Sequence, residues 1–140
     1  MTPRLPILCL AFCLGAMPTP AETLGGSAAY RSCMEEARKT PERGLETASA
    51  WAALGGGEAA RHCQAVAFLG LKHYVRGAES LERLAQDIRA TKALKATLLG
   101  QAAQAWLLAG RAARADAVLT EALRLAPDDV ELRIDRAQAL

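Results

Sequence analysis

Asparagine is missing from this 140-residue chain, aromatic side chains make up only 4% of it, and neither sign of charge dominates, the formal net being +2. A balance this even leaves no electrostatic footprint for a polyanion, so a nucleic-acid partner is not expected. Strand signals are lacking too. β-branched residues are scattered, and the glycines at Gly25-Gly26 and Gly55-Gly56-Gly57 stand too far apart to close hairpins. Motifs of enzyme chemistry are absent as well: there is no CxxC pair, no glycine-rich loop ending in Lys-Ser/Thr, and no HExxH helix. What is present is 51% hydrophobic content carried largely by Ala and Leu, the composition that close helix-on-helix packing uses. The fold expected is all-α, and no catalytic activity or cofactor is expected.

Residues 1–21 read as a secretory leader. Arg4 supplies a short positive start, Leu5 to Ala16 is an apolar run interrupted by Pro6, and Thr19-Pro20-Ala21 places small residues where a signal peptidase cuts. About 12 apolar residues fall short of the roughly 20 that a helix needs to span a bilayer, so a permanent anchor is not expected. Phe12 before Cys13 and Leu8 before Cys9 do not fit a lipoprotein site, which wants a small residue there. The mature chain is expected outside the cytoplasm, secreted or periplasmic. Losing Arg4 with the leader brings its net charge to +1.

The segment Ala96 to Asp129 carries the strongest pattern. Leu99, Ala103 and Trp106 share one face of a first helix and Gly110 ends it. Ala115, Leu119 and Ala122 continue the apolar stripe on a second helix before Pro127. Small residues at the helix crossing, an aromatic one turn later, a turn glycine and a terminal proline at these offsets resemble a tetratricopeptide repeat, a helix-turn-helix unit of about 34 residues. The resemblance implies a right-handed solenoid of helical hairpins. One such unit buries its apolar face poorly alone, so neighbours are expected. Leu69, Gly70, His73 and Gly77 stand 33 residues before Ala102, Ala103, Trp106 and Gly110, followed by Leu81, Leu84, Ala85 and Ile88 at helical spacing. Tyr30 to Lys39 and Pro41 to Leu54 supply a weaker pair, with Thr40-Pro41 as N-cap and first helical residue and Gly44 inside the helix. The expected division is 22–57 for the weak N-terminal pair, 58–90 and 91–129 for two repeat-like units, and 130–140 for half a unit.

In such a solenoid the first helices of successive pairs lie side by side. Cys33 and Cys63 fall on two of them, and an even pair of cysteines in an oxidising compartment is expected to form a disulfide, two separate buried thiols being the alternative. Metal or haem ligation by His62, Cys63, His73 and Cys33 is not expected. Eleven residues separate the two histidines, some 16 Å along one helix, so they cannot share one ion. His73 takes the place of Trp106 in the 33-residue alignment and is expected to be a packed structural histidine. Glu35-Glu36 and Asp128-Asp129 read as solvated or capping carboxylates at helix ends.

Tetratricopeptide arrays grip peptides or helices of partner proteins on the concave surface of their first helices. The resemblance places Gln64, Leu71, Tyr74, Gln104 and Leu107 there, with ordinary surface or packing between units as the alternative for each. Arrays that clamp a terminal carboxylate use groove asparagines, which this chain lacks. The expected function is therefore a non-catalytic protein-protein interaction scaffold or adaptor of the cell envelope. A thiol-redox or metal-handling module built on Cys33 and Cys63 near His62 is the alternative. Two packing expectations complete the sequence reading. Trp106 should be buried against residues such as Leu119. Val130, Leu132, Ile134 and Ala137 place apolar side chains on more than one face of a last helix, which invites self-association or another partner there.

Overall fold

The computed structural model describes residues 24–140, and the expected leader, residues 1–21, lies outside them. Within the described residues all regular structure is helical: α1 (Ala28–Lys39), α2 (Pro41–Ala53), α3 (Gly57–Gly70), α4 (Tyr74–Asp87), α5 (Lys92–Leu108), α6 (Ala112–Leu125) and α7 (Val130–Ala139). No helix among them is long and apolar enough to cross a membrane.

Local chemistry sets the helix boundaries. Ser27, Thr91 and Asp129 each accept, on a side-chain oxygen, the backbone N–H three residues on, which satisfies one of the orphan donors at the starts of α1, α5 and α7. Thr40 and Pro41 open α2, where the fixed φ of proline suits the first helical position and its missing N–H costs nothing. Gly55 and Gly110 close α2 and α5 in the left-handed region, at φ of +89° and +70°.

The turn between α3 and α4 corrects the 33-residue alignment. Gly77, aligned with the turn glycine Gly110, lies inside α4 and is buried, while the left-handed residue is Lys72 at φ +61°. The hydrogen bonds give the true correspondence. His73 N–H reaches Phe68 C=O just as Arg111 N–H reaches Trp106 C=O, each at 2.8 Å. The two hairpins are thus offset by 38 residues, Phe68 matches Trp106, and His73 stands at the N-cap position of α4 without a side-chain capping bond, its exposed ring against Phe68 rather than packed in the core. The difference arises between α4 and α5: Ile88 to Thr91 run without helix, and α5 is 17 residues long against 14 for α3.

Consecutive helices pack on one another from α1 to α7, and α1 also packs on α3 and α5 on α7. Small residues allow the close approaches. A Cβ on Gly44 would stand 2.4 Å from the Ala37 Cα, so the crossing of α1 and α2 requires glycine there. One core cluster gathers Met34, Ala37, Ala48 and Ala67 around a Cys33–Cys63 disulfide that is fully buried. The larger one centres on Leu81, Leu84, Ile88, Leu98 and Leu119. Trp106 is buried as expected, and its indole N–H donates to Glu82 on α4 at 2.5 Å, a contact the sequence does not announce. On α7 the apolar positions divide: Leu132 is buried, whereas Val130 and Ile134 are 63% and 53% exposed.

Candidate functional site

Helices α1, α3 and α5 each turn one stripe toward a shared cleft of about 380 Å³. From α1 come Tyr30, Met34 and Arg38, from α3 His62, Val66 and Leu69, and from α5 Gln101, Gln104, Ala105 and Leu108. Spacings of three, four, seven and eight residues put each set on one helix face. The polar part of this surface is a chain of side chains across all three helices. The Tyr30 hydroxyl lies 2.7 Å from His62 Nδ1, and His62 Nε2 lies 2.8 Å from Gln101 Oε1.

Burial fixes how the protons sit. Desolvation is the main influence on His62 and pushes its pKa below the ordinary 6.5; the nearby Arg38 charge acts the same way, and the hydrogen bond to Gln101 opposes it only in part. The ring is therefore neutral at pH 7. Because Gln101 Oε1 can only accept, Nε2 carries the proton and donates, which leaves the Nδ1 lone pair to accept from Tyr30 O–H. Tyr30 itself is raised by desolvation, against the pull of Arg38, so its hydroxyl stays protonated and can donate. The two rings are nearly parallel, with centroids 6.0 Å apart.

The cleft continues toward α7. Thr97, Gly100, Gln101 and Gln104 face Asp129, Glu131, Leu132 and Asp135 around a further space of about 220 Å³. Gln104 Nε2 donates to Asp135 Oδ2 at 3.1 Å. Leu132 Cδ2 would come within 2.8 Å of a Cβ on Gly100, so the absence of a side chain there lets α7 close on α5.

Among the residues expected on the binding face, Gln104 lies in this cleft. Gln64 sits two positions from His62, about 200° around α3, and donates to Ser49 on α2. Leu71 caps the end of α3 and Tyr74 opens α4, where it lines a separate surface hollow with Lys72 and Arg76. Leu107 is half-buried against the core, one residue from Leu108. Sequence reasoning missed Tyr30 and Gln101 and weighed His62 only for metal ligation and as a neighbour of the cysteines, although the stripes Tyr30-Met34-Arg38 and His62-Val66-Leu69 were there to be read at helical spacing.

The surface offers hydrogen bonding and apolar contact. Among the described residues, no three His, Cys, Asp or Glu side chains converge to hold an ion. Cys33 and Cys63 are joined with Cα atoms 6.1 Å apart, and neither is exposed. No protein-family model matches this chain, and neither a curated protein nor a solved structure does.

Proposed function

We propose that this protein is a non-catalytic scaffold of the cell envelope, an array of tetratricopeptide-like hairpins that holds a protein or peptide partner against α1, α3 and α5. The observation that carries the proposal is the alignment of three helix stripes into one cleft, joined through Tyr30, His62 and Gln101. Alternate helices sharing a face is the arrangement by which helical-hairpin solenoids build binding surfaces. Complete burial of both sulfurs favours a structural staple over the thiol-redox alternative, because an exchanging disulfide must be reached by an attacking thiolate.

Site-specific photocrosslinking in the envelope tests the proposal. A photoreactive side chain at Gln104, in the cleft, is expected to give a discrete adduct, and one at Arg83, exposed on α4, is not. Equal labelling from both positions, or none from Gln104, overturns it. Export with removal of residues 1 to about 21 belongs to the same proposal, and N-terminal sequencing that finds Met1 or Thr2 on exported protein would refute that part. Self-association through α7 is a further element, favoured by the exposure of Val130 and Ile134. Sedimentation that stays monomeric across a concentration series removes it.

A further inference from the structure

Charge along the cleft is ordered. Arg38, at its α1 edge, is exposed and forms no ion pair among the described residues, although its neighbour Lys39 holds Glu35. At the α7 edge the charges are negative: among the described residues Glu131, which is exposed, is in no ion pair, and Asp135 takes only the amide of Gln104. Between the edges the surface is neutral and partly apolar, with half-buried Val66 and Leu69 and with Leu108 at 63% exposure. Burial keeps His62 uncharged in the middle.

Resting on the proposed binding face, we infer that the cleft takes an extended segment of a partner protein. That segment bears a carboxylate over Arg38, apolar side chains over α3 and α5, and a cationic side chain over Glu131 and Asp135. Gln101 adds a contact of another kind. Its oxygen is engaged by His62, and its amide N–H groups have no protein partner among the described residues, which leaves a donor for a main-chain carbonyl. The dimensions suit an extended chain. Helices packed in contact stand roughly 8–10 Å apart, and α3 and α5 are not packed that closely, so α1 to α7 spans at least about 27 Å, or about eight residues or more at 3.3–3.6 Å each. Spaces of about 380 and 220 Å³ lie along this line and receive side chains of such a segment.

Selection of a random dodecamer display library on the full oxidised chain tests this. Enriched peptides are expected to place an acidic and a basic residue eight or more positions apart, with Leu, Val, Met or Phe between them. Arg38→Glu is expected to weaken the best peptide by about tenfold or more, the scale of one desolvated charge contact, and to reverse the acidic preference on reselection. Both Arg38 and Leu108 are exposed, so Arg38→Glu and Leu108→Glu should keep the helical circular dichroism of the parent. Peptides that lose affinity with Leu108→Glu but show no charge order, or are indifferent to Arg38→Glu, overturn the inference and leave the binding face standing. Absence of any enrichment, or peptides insensitive to both variants, overturns both.

Discussion

Tyr30 and His62, 32 residues apart in the chain, are joined by a 2.7 Å hydrogen bond in which the imidazole accepts, and this bond needs the ring to be neutral. Burial holds the folded-state pKa of His62 below 6.5, so an unfolded chain binds a proton that the folded one refuses. The contribution to stability is complete above about pH 6.5 and is lost as pH falls from there toward the folded-state pKa. Urea midpoints at pH 7.5 and 5.0 are therefore expected to differ more for the parent than for His62→Gln, which cannot titrate. Carboxylates contribute to both proteins alike, so the difference between them isolates the histidine. Parallel pH dependence in the two would refute the assignment.

The disulfide should act mainly on the unfolded chain. Cross-linking positions 30 residues apart removes loop-closure entropy worth about 3–4 kcal/mol, and Cys33→Ala with Cys63→Ala is expected to lose that much in equilibrium urea unfolding. Because both sulfurs are buried, mild reductant followed by iodoacetamide should label the native protein only after denaturant is added. Rapid labelling of the native state would revive the redox alternative.

The elements were legible where chemistry is local. Thr40-Pro41, Asp129, Gly110 and the Leu99-Ala103-Trp106 stripe each act within a turn or two of helix, so neighbouring residues suffice to reveal them. The 33-residue spacing puts the turn at Gly77, whereas Lys72 takes the left-handed conformation, at a steric cost glycine would avoid. Phe68 and Trp106, compared at an offset of 38, would have revealed the register. The polar chain was hidden for another reason: Tyr30, His62 and Gln101 come from three helices, and nothing in residue order marks a hydrogen bond across 39 positions.

Glu82 illustrates the same gap and gives a further prediction. Its carboxylate is nearly enclosed and accepts both the Trp106 indole N–H and the Arg114 guanidinium, tying α4 to α5 and α6. Glu82→Ala would leave the Trp106 donor buried and unpaired, at about 1–3 kcal/mol, whereas the exposed Arg114 can turn to water. Trp106→Ala should cost roughly 3–5 kcal/mol, since it also removes a buried aromatic body. Denaturant titration checks both values. A loss below about 1 kcal/mol for Trp106→Ala would mean that this side chain does not anchor the α4–α6 packing.

Two glycines inside helices should respond oppositely to the same change. Exchange of a helical glycine for alanine is worth roughly 1 kcal/mol in favour of the helix when space allows. At Gly44 the added Cβ meets the Ala37 backbone at 2.4 Å, and neither helix can yield without reopening the α1–α2 crossing beside the disulfide. Overpacking of this kind costs about 1–3 kcal/mol, so Gly44→Ala is expected to destabilise on balance. At Gly100 the nearest atom is Leu132 Cδ2 at 2.8 Å, the end of a flexible side chain that can change rotamer. Gly100→Ala should then be near neutral or slightly stabilising, while loosening α7 from α5 enough to move the environment of Asp135 across the cleft. Thermal melts of the two variants distinguish them, and a greater loss for Gly100→Ala than for Gly44→Ala would show that the α5–α7 contact is the tighter of the two crossings.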